Sequence, residues 1–324
     1  MKSRKLIRGL FVTLLLILMA SALGQRKLNL GYTLSPDSHY GKGAQAFEET
    51  LESLSGGAFD VLQQPANALG GEREMIEGAQ IGSVDLVITS TGPLGNFVPD
   101  ALVMDLPFLF RDYDHAHKVL DGPIGQELLD DCRASDLVCL AWSENGFRHL
   151  TNSVHPVRTP EDLKALKIRT MENPVHIRAF EAAGMEPTPM AFPELFTALQ
   201  QGTVDGQENP IPVITSANFQ EVQKYLTLTG HVYSPAVVIV SPFVWDTLSE
   251  EEQGWFQEAA KASVEATRAE VARVEKEGVA QLQAAGMEVV TDIDKEAFRA
   301  AVSPVYDDYQ DRFGDLIERI RATE

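Results

Sequence analysis

Polar and apolar positions along the chain alternate between strand-like and helix-like periods. "LNLGYT" (Leu28–Thr33) reads as a strand, Ala44–Leu54 as an amphipathic helix and Phe59–Gln63 as a second strand. "GGEREMIEGAQIG" gives a helix closed by Gly82, followed by the run Val84–Thr89, which has no polar alternation. Such a run suits a strand covered on both faces, as in a parallel sheet. The alternation continues through "GQELLDDC" and "LVCLAW", so the expected class is α/β.

A second α/β unit begins near residue 148. Thr159, Pro160 and Asp162 have the order of a helix cap with a first-turn proline. "LKIRTM" is its next strand, Pro174–Ala183 a helix, and "FPELFTALQQG" a helix opened by Pro193 and ended by Gly202. A short strand-like run ending in "GQENP" precedes a helix expected over Pro212–Leu226, and "YSPAVVIVS" reads as an apolar strand returning to the first unit. Ser249 and Glu252 form a capping box for a long helix, about Glu250–Ala285, without a sustained apolar heptad. One small lobe cannot cover so long a helix, so it is expected to lie across both.

The domain expectation is therefore lobe I over residues 25–147 plus about 235–255, and lobe II over 148–234 plus about 275–324, with the helix at about 250–285 shared. Short crossing segments and a shared helix make a hinge. The chain has 324 residues, 44% of them apolar, enough for two medium cores.

Residues 1–24 combine Lys2, Arg4, Lys5 and Arg8 with an apolar run from Leu10 to about Met19 and small residues behind it. This is the grammar of a secretory signal peptide, cut near Gly24. Its removal takes four positive charges and no negative ones, moving the formal net charge from −20 to −24. So acidic a surface argues against nucleic acid and anionic membranes as partners. If the ligand is an anion, its cleft must carry local positive charge.

Cys132 and Cys139 stand seven apart in "CRASDLVC". They could pair in an oxidising compartment, but the geometry is strict, and two buried inert thiols are the expectation.

No cofactor or catalytic site is indicated. "GKGAQA" (Gly41–Ala46) matches the loose Gly-x-Gly-x-x-Ala pattern, but "LSPDSHY" intervenes after the first strand and the second ends in Gln63 and Gln64, where a dinucleotide site needs an acid. Gly41 and Gly43 are read instead as allowing a helix start to pack closely. His115 and His117, two apart on a helix, point away from each other, and no metal cluster or nucleophile elbow is indicated.

The arginines carry more. Arg148 in "NGFRHLTN" and Arg169 in "LKIRTM" sit where open α/β sheets bind ligands, outside the carboxyl ends of strands. A guanidinium fork matches a carboxylate with two parallel hydrogen bonds. Asn209 is held at a fixed angle by Pro210 behind it. Alternation turns Glu208 away from it, toward a structural role.

Four ordered blocks, "LPFLFRDYDHAHKVLDG", "ENGFRHLTNSVHPVRTPEDLKALKIRTMENP", "GMEPTPMAFPELFTALQQGTVDGQENP" and "FQEVQKYLTLTGHVYSP", resemble the periplasmic substrate-binding proteins of tripartite ATP-independent periplasmic (TRAP) transporters, the dicarboxylate-binding type. The resemblance spans about Leu28–Thr291. It implies a two-lobed, periplasmic, monomeric binding protein, not an enzyme, that closes on an organic acid and delivers it to integral-membrane subunits. Arg169 matches the family's carboxylate-binding arginine, Arg148 an assisting arginine, Asn209 an asparagine on the same carboxylate, and Phe192 an aromatic ring against the ligand. Thr33 and Ser90 fall at first-lobe strand ends where sialic-acid-binding relatives carry an asparagine and a glutamate, which argues against that ligand. Glu172 is a candidate acceptor for ligand hydroxyls. The blocks look most like members that take sugar acids and keto-sugar acids; C4-dicarboxylates and keto acids are the alternative. An exported enzyme with Glu172 or Glu208 as general base, or a ligand carrier for a sensor kinase, are the competing readings.

Overall fold

The computed structural model describes residues 25–324; the expected signal peptide lies outside the described residues. Among the described residues, nine strands form one mixed sheet in the order β2-β1-β3-β8-β4-β7-β5-β6, with β9 beside β8. They are β1 (Arg26–Gly31), β2 (Phe59–Gln64), β3 (Leu86–Ser90), β4 (Val138–Asn152), β5 (Lys167–Thr170), β6 (Glu186–Pro189), β7 (Gly206–Pro210), β8 (Tyr225–Val240) and β9 (Glu288–Val290).

The long antiparallel pair β4 and β8 runs through the whole sheet. β3 pairs with Ala236–Val240 at one end of β8, while β7 pairs with Arg148–Asn152 at the far end of β4. The two halves of the molecule thus meet where β4 and β8 cross between them. There the β4–β8 ladder shifts register between Glu144 and Gly146, and Gly146 takes φ +114°. An extra residue at a bulge bends a strand and re-aims the side chains that follow. Arg148 lies two residues beyond this bend.

The core differs from the expectation of one per lobe. Along β8, Ala236, Val238 and Val240 belong to one hydrophobic cluster, and Val237 and Ile239 to the other. The two clusters are therefore the two faces of the sheet, each continuous across both halves. This follows from the period-2 alternation of strands that traverse the entire molecule.

The long helix spans Glu250–Ala284 and carries the expected capping box at Ser249 and Glu252. It packs on the His39–Leu54 helix, on β4 and on the Ile211–Ser216 helix, and so touches both halves. Close approach depends on glycines at two crossings. A Cβ at Gly43 would stand 2.3 Å from Thr267 Oγ1, and one at Gly278 would stand 2.5 Å from Ile211 Cγ2.

Three expectations are corrected. The first helix begins at His39, five residues before Ala44, because Ser38 caps it by accepting from Gly41 N. The helix expected over Pro212–Leu226 stops at Ser216; Asn218 is left-handed (φ 54°), and Tyr225 already opens β8, whose "YLTLT" is β-branched and aromatic at alternate positions. Cys132 and Cys139 form a disulfide, with their Cα atoms 5.9 Å apart, rather than two free thiols. The turn Asp131–Ser135 and left-handed Asp136 (φ 53°) fold Cys132 back against the start of β4.

Candidate ligand-binding site

Arg169 projects from the short strand β5 and is 2% exposed. Its Nε and Nη2 both donate to the carbonyl of Met190, at 3.0 and 2.7 Å, which fixes the plane of the guanidinium. The Phe192 ring centroid lies 6.0 Å from Arg169 Cζ. Nη1 donates to no acceptor among the described residues. Burial pulls the arginine's pKa down to about 10; Glu208 opposes that shift and Arg148 adds to it. It remains cationic at neutral pH.

Arg148, aimed by the bend in β4, is fully buried against Glu208 of β7. Arg148 Nε donates to Glu208 Oε2 at 2.5 Å, and Nη2 donates to Oε1 at 2.8 Å. Nη2 also reaches the Glu208 carbonyl at 2.6 Å and Asn209 Oδ1 at 3.1 Å. His231 Nε2 lies 3.2 Å from Glu208 Oε2. Burial alone would raise the Glu208 pKa, but the Arg148 charge and the bonds from His231 and Arg148 outweigh it and hold the carboxylate well below its ordinary range. Arg148 Nη1 is buried without a hydrogen-bond partner among the described residues. A buried donor left unmade is costly, and a carboxylate oxygen is the acceptor that suits it.

Asn209 precedes Pro210 on β7, as the sequence places it, and donates through Nδ2 to Gln207 Oε1 at 2.5 Å. Gln207 in turn donates to Thr151 Oγ1 at 2.9 Å. Gln207 and Asn209, two apart on a strand, share a face; Glu208 serves the arginine.

These groups face a wall from the other half. Thr33 follows β1 and Ser90 ends β3; with Tyr40, Glu72 and Asn145 they line the same small cavity as Arg148, Arg169, Asn209 and Phe192. The halves touch around it. Asn96 Nδ2 donates to the Glu172 carbonyl at 2.6 Å, Asn173 Nδ2 donates to the Gly92 carbonyl at 3.1 Å and to Asp105 Oδ2 at 2.8 Å, and Ser90 Oγ lies 3.5 Å from Met171 Sδ. The cleft is closed.

Six of the seven residues singled out from sequence thus share one cavity. Glu172 does not: it is exposed and borders an adjoining recess with Arg73, Arg169 and Phe192. Sequence reasoning missed Tyr40, whose buried Oη has no partner among the described residues, and Glu72, which accepts from Thr89 and Ser90. Glu72 stands directly behind "GG" at the start of a helix, and that was its only signal.

A two-halved α/β molecule whose halves meet around a small cavity lined by two buried guanidinium groups has the architecture of a solute-binding protein. Residues 30–312 match the family model for bacterial extracellular solute-binding protein, family 7 (DctP), and the chain belongs to that family, the solute-binding proteins of TRAP transporters. It is 38% identical to the 2,3-diketo-L-gulonate-binding periplasmic protein YiaO of Escherichia coli over 93% of this chain and 92% of that protein. A TRAP periplasmic solute-binding protein of Polaromonas sp. JS666, solved with D-erythronate bound, shares 54% identity and a TM-score of 0.91 over 93% of this chain and 99% of that one. A counterpart from Pseudomonas putida F1 with bound D-glucuronate shares 36% identity and a TM-score of 0.89 over 92% and 97%.

Proposed function

We propose that this protein captures a sugar acid, a uronate, aldonate or keto-sugar acid, through its carboxylate and hands it to the membrane subunits of a TRAP transporter. Arg169 pairs with the carboxylate, and Arg148 Nη1 and Asn209 complete its hydrogen bonds. Phe192 packs on the ligand, and Thr33 and Ser90 meet its far end. The observation that carries this reading is the pair of immobilised guanidinium groups in one closed cavity, each with a donor nitrogen that no described residue engages. The acids bound by the E. coli, Polaromonas and Pseudomonas relatives support the ligand class.

Binding without turnover is favoured over an exported enzyme. Glu208 is spent on Arg148 and is too weak a base to take a proton, and Glu172 is exposed. The lobes divide between residues 147 and 148 and between 234 and 235, the mature chain begins near Gln25 in the periplasm, and it works as a monomer. Among the described residues no helix is long and apolar enough to cross a membrane.

A thermal-shift screen against uronates, aldonates, keto acids and C4-dicarboxylates tests the reading, because a ligand that binds only the folded state raises the melting temperature. Stabilisation by a sugar acid, with no product formed on prolonged incubation, is the expected result. Stabilisation by none of the acids, or product formation, overturns it.

A further inference from the structure

Two buried side chains join the halves of the molecule away from the cavity. Asn173 caps the Pro174–Ala182 helix in the half that carries β5, and Asp105 ends the Pro99–Asp105 turn in the half that carries β3. Both are fully buried, and neither lines the cavity. Asn173 Oδ1 accepts from Val175 N at 2.9 Å and from His176 N at 3.1 Å, which satisfies two N–H groups of the helix's first turn. With its oxygen committed to its own helix, the amide has only its nitrogen to offer the other half. Nδ2 donates there to the Gly92 carbonyl at 3.1 Å and to Asp105 Oδ2 at 2.8 Å. Thr91 Oγ1 donates to Asp105 Oδ1 at 2.8 Å, so each carboxylate oxygen receives a bond.

Two other contacts between the halves are poorer: Asn96 reaches the Glu172 carbonyl at an exposed position, and Ser90 Oγ meets Met171 Sδ only at 3.5 Å. A hydrogen bond to a carboxylate shielded from water is the stronger kind. The titratable and charged groups around Asp105 are His176, with Nε2 3.8 Å from Oδ1, and Arg148 of β4 and Glu208 of β7, whose charges reach it. Burial pushes Asp105 up to about 7 against the pull of Thr91, Arg148 and Asn173, and burial lowers His176 to about 3, so the histidine brings no charge near neutral pH. Opening the halves breaks the Asn173–Asp105 bond but leaves the cap intact, because the cap lies within one half.

Resting on the carboxylate-binding reading above, we propose that Asn173 is a positioning residue that latches the halves together through Asp105 and so sets ligand affinity without touching the ligand. A protein that holds its ligand closed has an apparent affinity that scales with its closed population.

Calorimetry on the full mature protein at pH 8 and pH 5.5 tests this, with whichever of D-erythronate, galactonate and glucuronate the native protein binds most tightly. Asn173→Asp keeps the capping oxygen and adds a negative charge at a helix N-terminus, so the melting temperature without ligand should not fall. It also sets a second carboxylate against Asp105 and the Gly92 carbonyl. At pH 8 the affinity should drop by about 10- to 100-fold, the range for losing a hydrogen bond to a charged group. Two facing carboxylates close only on a shared proton, so the deficit relative to the native protein should shrink by at least about 5-fold at pH 5.5. Asn173→Ser caps as well but is too short to reach Asp105, and should weaken binding by about 10-fold at both pH values. Asn173→Asp combined with Asp105→Asn exchanges donor and acceptor, and should regain most of the loss at pH 8. Affinity within about 3-fold of native at pH 8 in both single variants, melting as the native protein does, overturns the latch and leaves the carboxylate reading standing. An Asn173→Asp deficit that is the same at pH 5.5 and in the double variant is that of a damaged cap, and overturns the latch as well. Binding of no acid by the native protein overturns both.

Discussion

Arg148 and Glu208 face each other across neighbouring strands in a two-bond pair, Nε to Oε2 at 2.5 Å and Nη2 to Oε1 at 2.8 Å, with both side chains fully buried. The geometry leaves Nη1 as the arginine's one nitrogen without an acceptor among the described residues. Glu208 thereby does for Arg148 what the Met190 carbonyl does for Arg169: it fixes the plane of the guanidinium before any ligand arrives. A preorganised donor loses little freedom on binding.

Removing one member of such a pair strands the other. Arg148→Met should destabilise the protein by about 3–5 kcal/mol, because an unpaired carboxylate is left in the interior. Arg148→Met combined with Glu208→Met should recover most of that loss while ligand affinity stays low. Urea unfolding of the single and double variants checks this; a loss under about 1 kcal/mol in the single variant is incompatible with a buried pair.

The histidines set an acid limit on stability. Burial, with His231 and Lys295 nearby, lowers His149 to about 3, and its Nδ1 accepts from Gly230 N at 3.0 Å. Its folded value lies below the unfolded value of about 6.5, so its contribution is full above that pH and is lost as pH falls toward 3. Glu275 has the opposite sign: burial raises it to about 7, with Glu144 adding to the rise and Tyr113 opposing it, so its contribution is lost as pH rises from about 4 to 7. Denaturant unfolding at pH 7.5 and pH 5 separates the two. Relative to the native protein, His149→Gln should be more favourable at pH 5 than at pH 7.5 by up to about 2 kcal/mol, and Glu275→Gln less favourable. Parallel pH dependence in all three proteins would contradict these assignments.

The Cys132–Cys139 disulfide lies outside the cavity lining. Replacing both cysteines with serine should cost about 2–3 kcal/mol for so short a loop. Ligand affinity at 25 °C should be unchanged, as calorimetry would show. A large loss of affinity would mean that the turn is coupled to the cleft.

How much of this was legible in the sequence depended on the kind of signal. The long helix was readable to within a residue, since Ser249 and Glu252 announce its start and helix-favouring composition carries it through. Arg169 and Asn209 were readable because Arg169 does lie near the carboxyl end of β5 and Asn209 on its proline corner, whereas Arg148 sits inside β4 rather than at a strand end, and the bend at Gly146 that precedes it left no signal in the spacing of the sequence. Glu72 and Tyr40 were not: each enters the cavity only because β1 and β3, far apart from β5 and β7 in sequence, are brought opposite them when the halves close. The disulfide escaped because spacing alone says nothing of the left-handed residue at Asp136 that folds the chain back. The pairing of Glu208 with Arg148 needed strand register, which alternation along one strand cannot supply; it gave only the structural role.

Binding of a ligand carboxylate by the fixed planar fork of Arg169 is tested most directly by calorimetric titration of the native protein and Arg169→Lys with the sugar acid that stabilises the native protein most. Lysine keeps the charge but loses the second parallel bond and the hold of the Met190 carbonyl on a planar group. The expected result is an affinity at least about 100-fold weaker in the lysine variant, with an unchanged melting temperature in the absence of ligand. Affinity within a few-fold of the native protein would contradict the account.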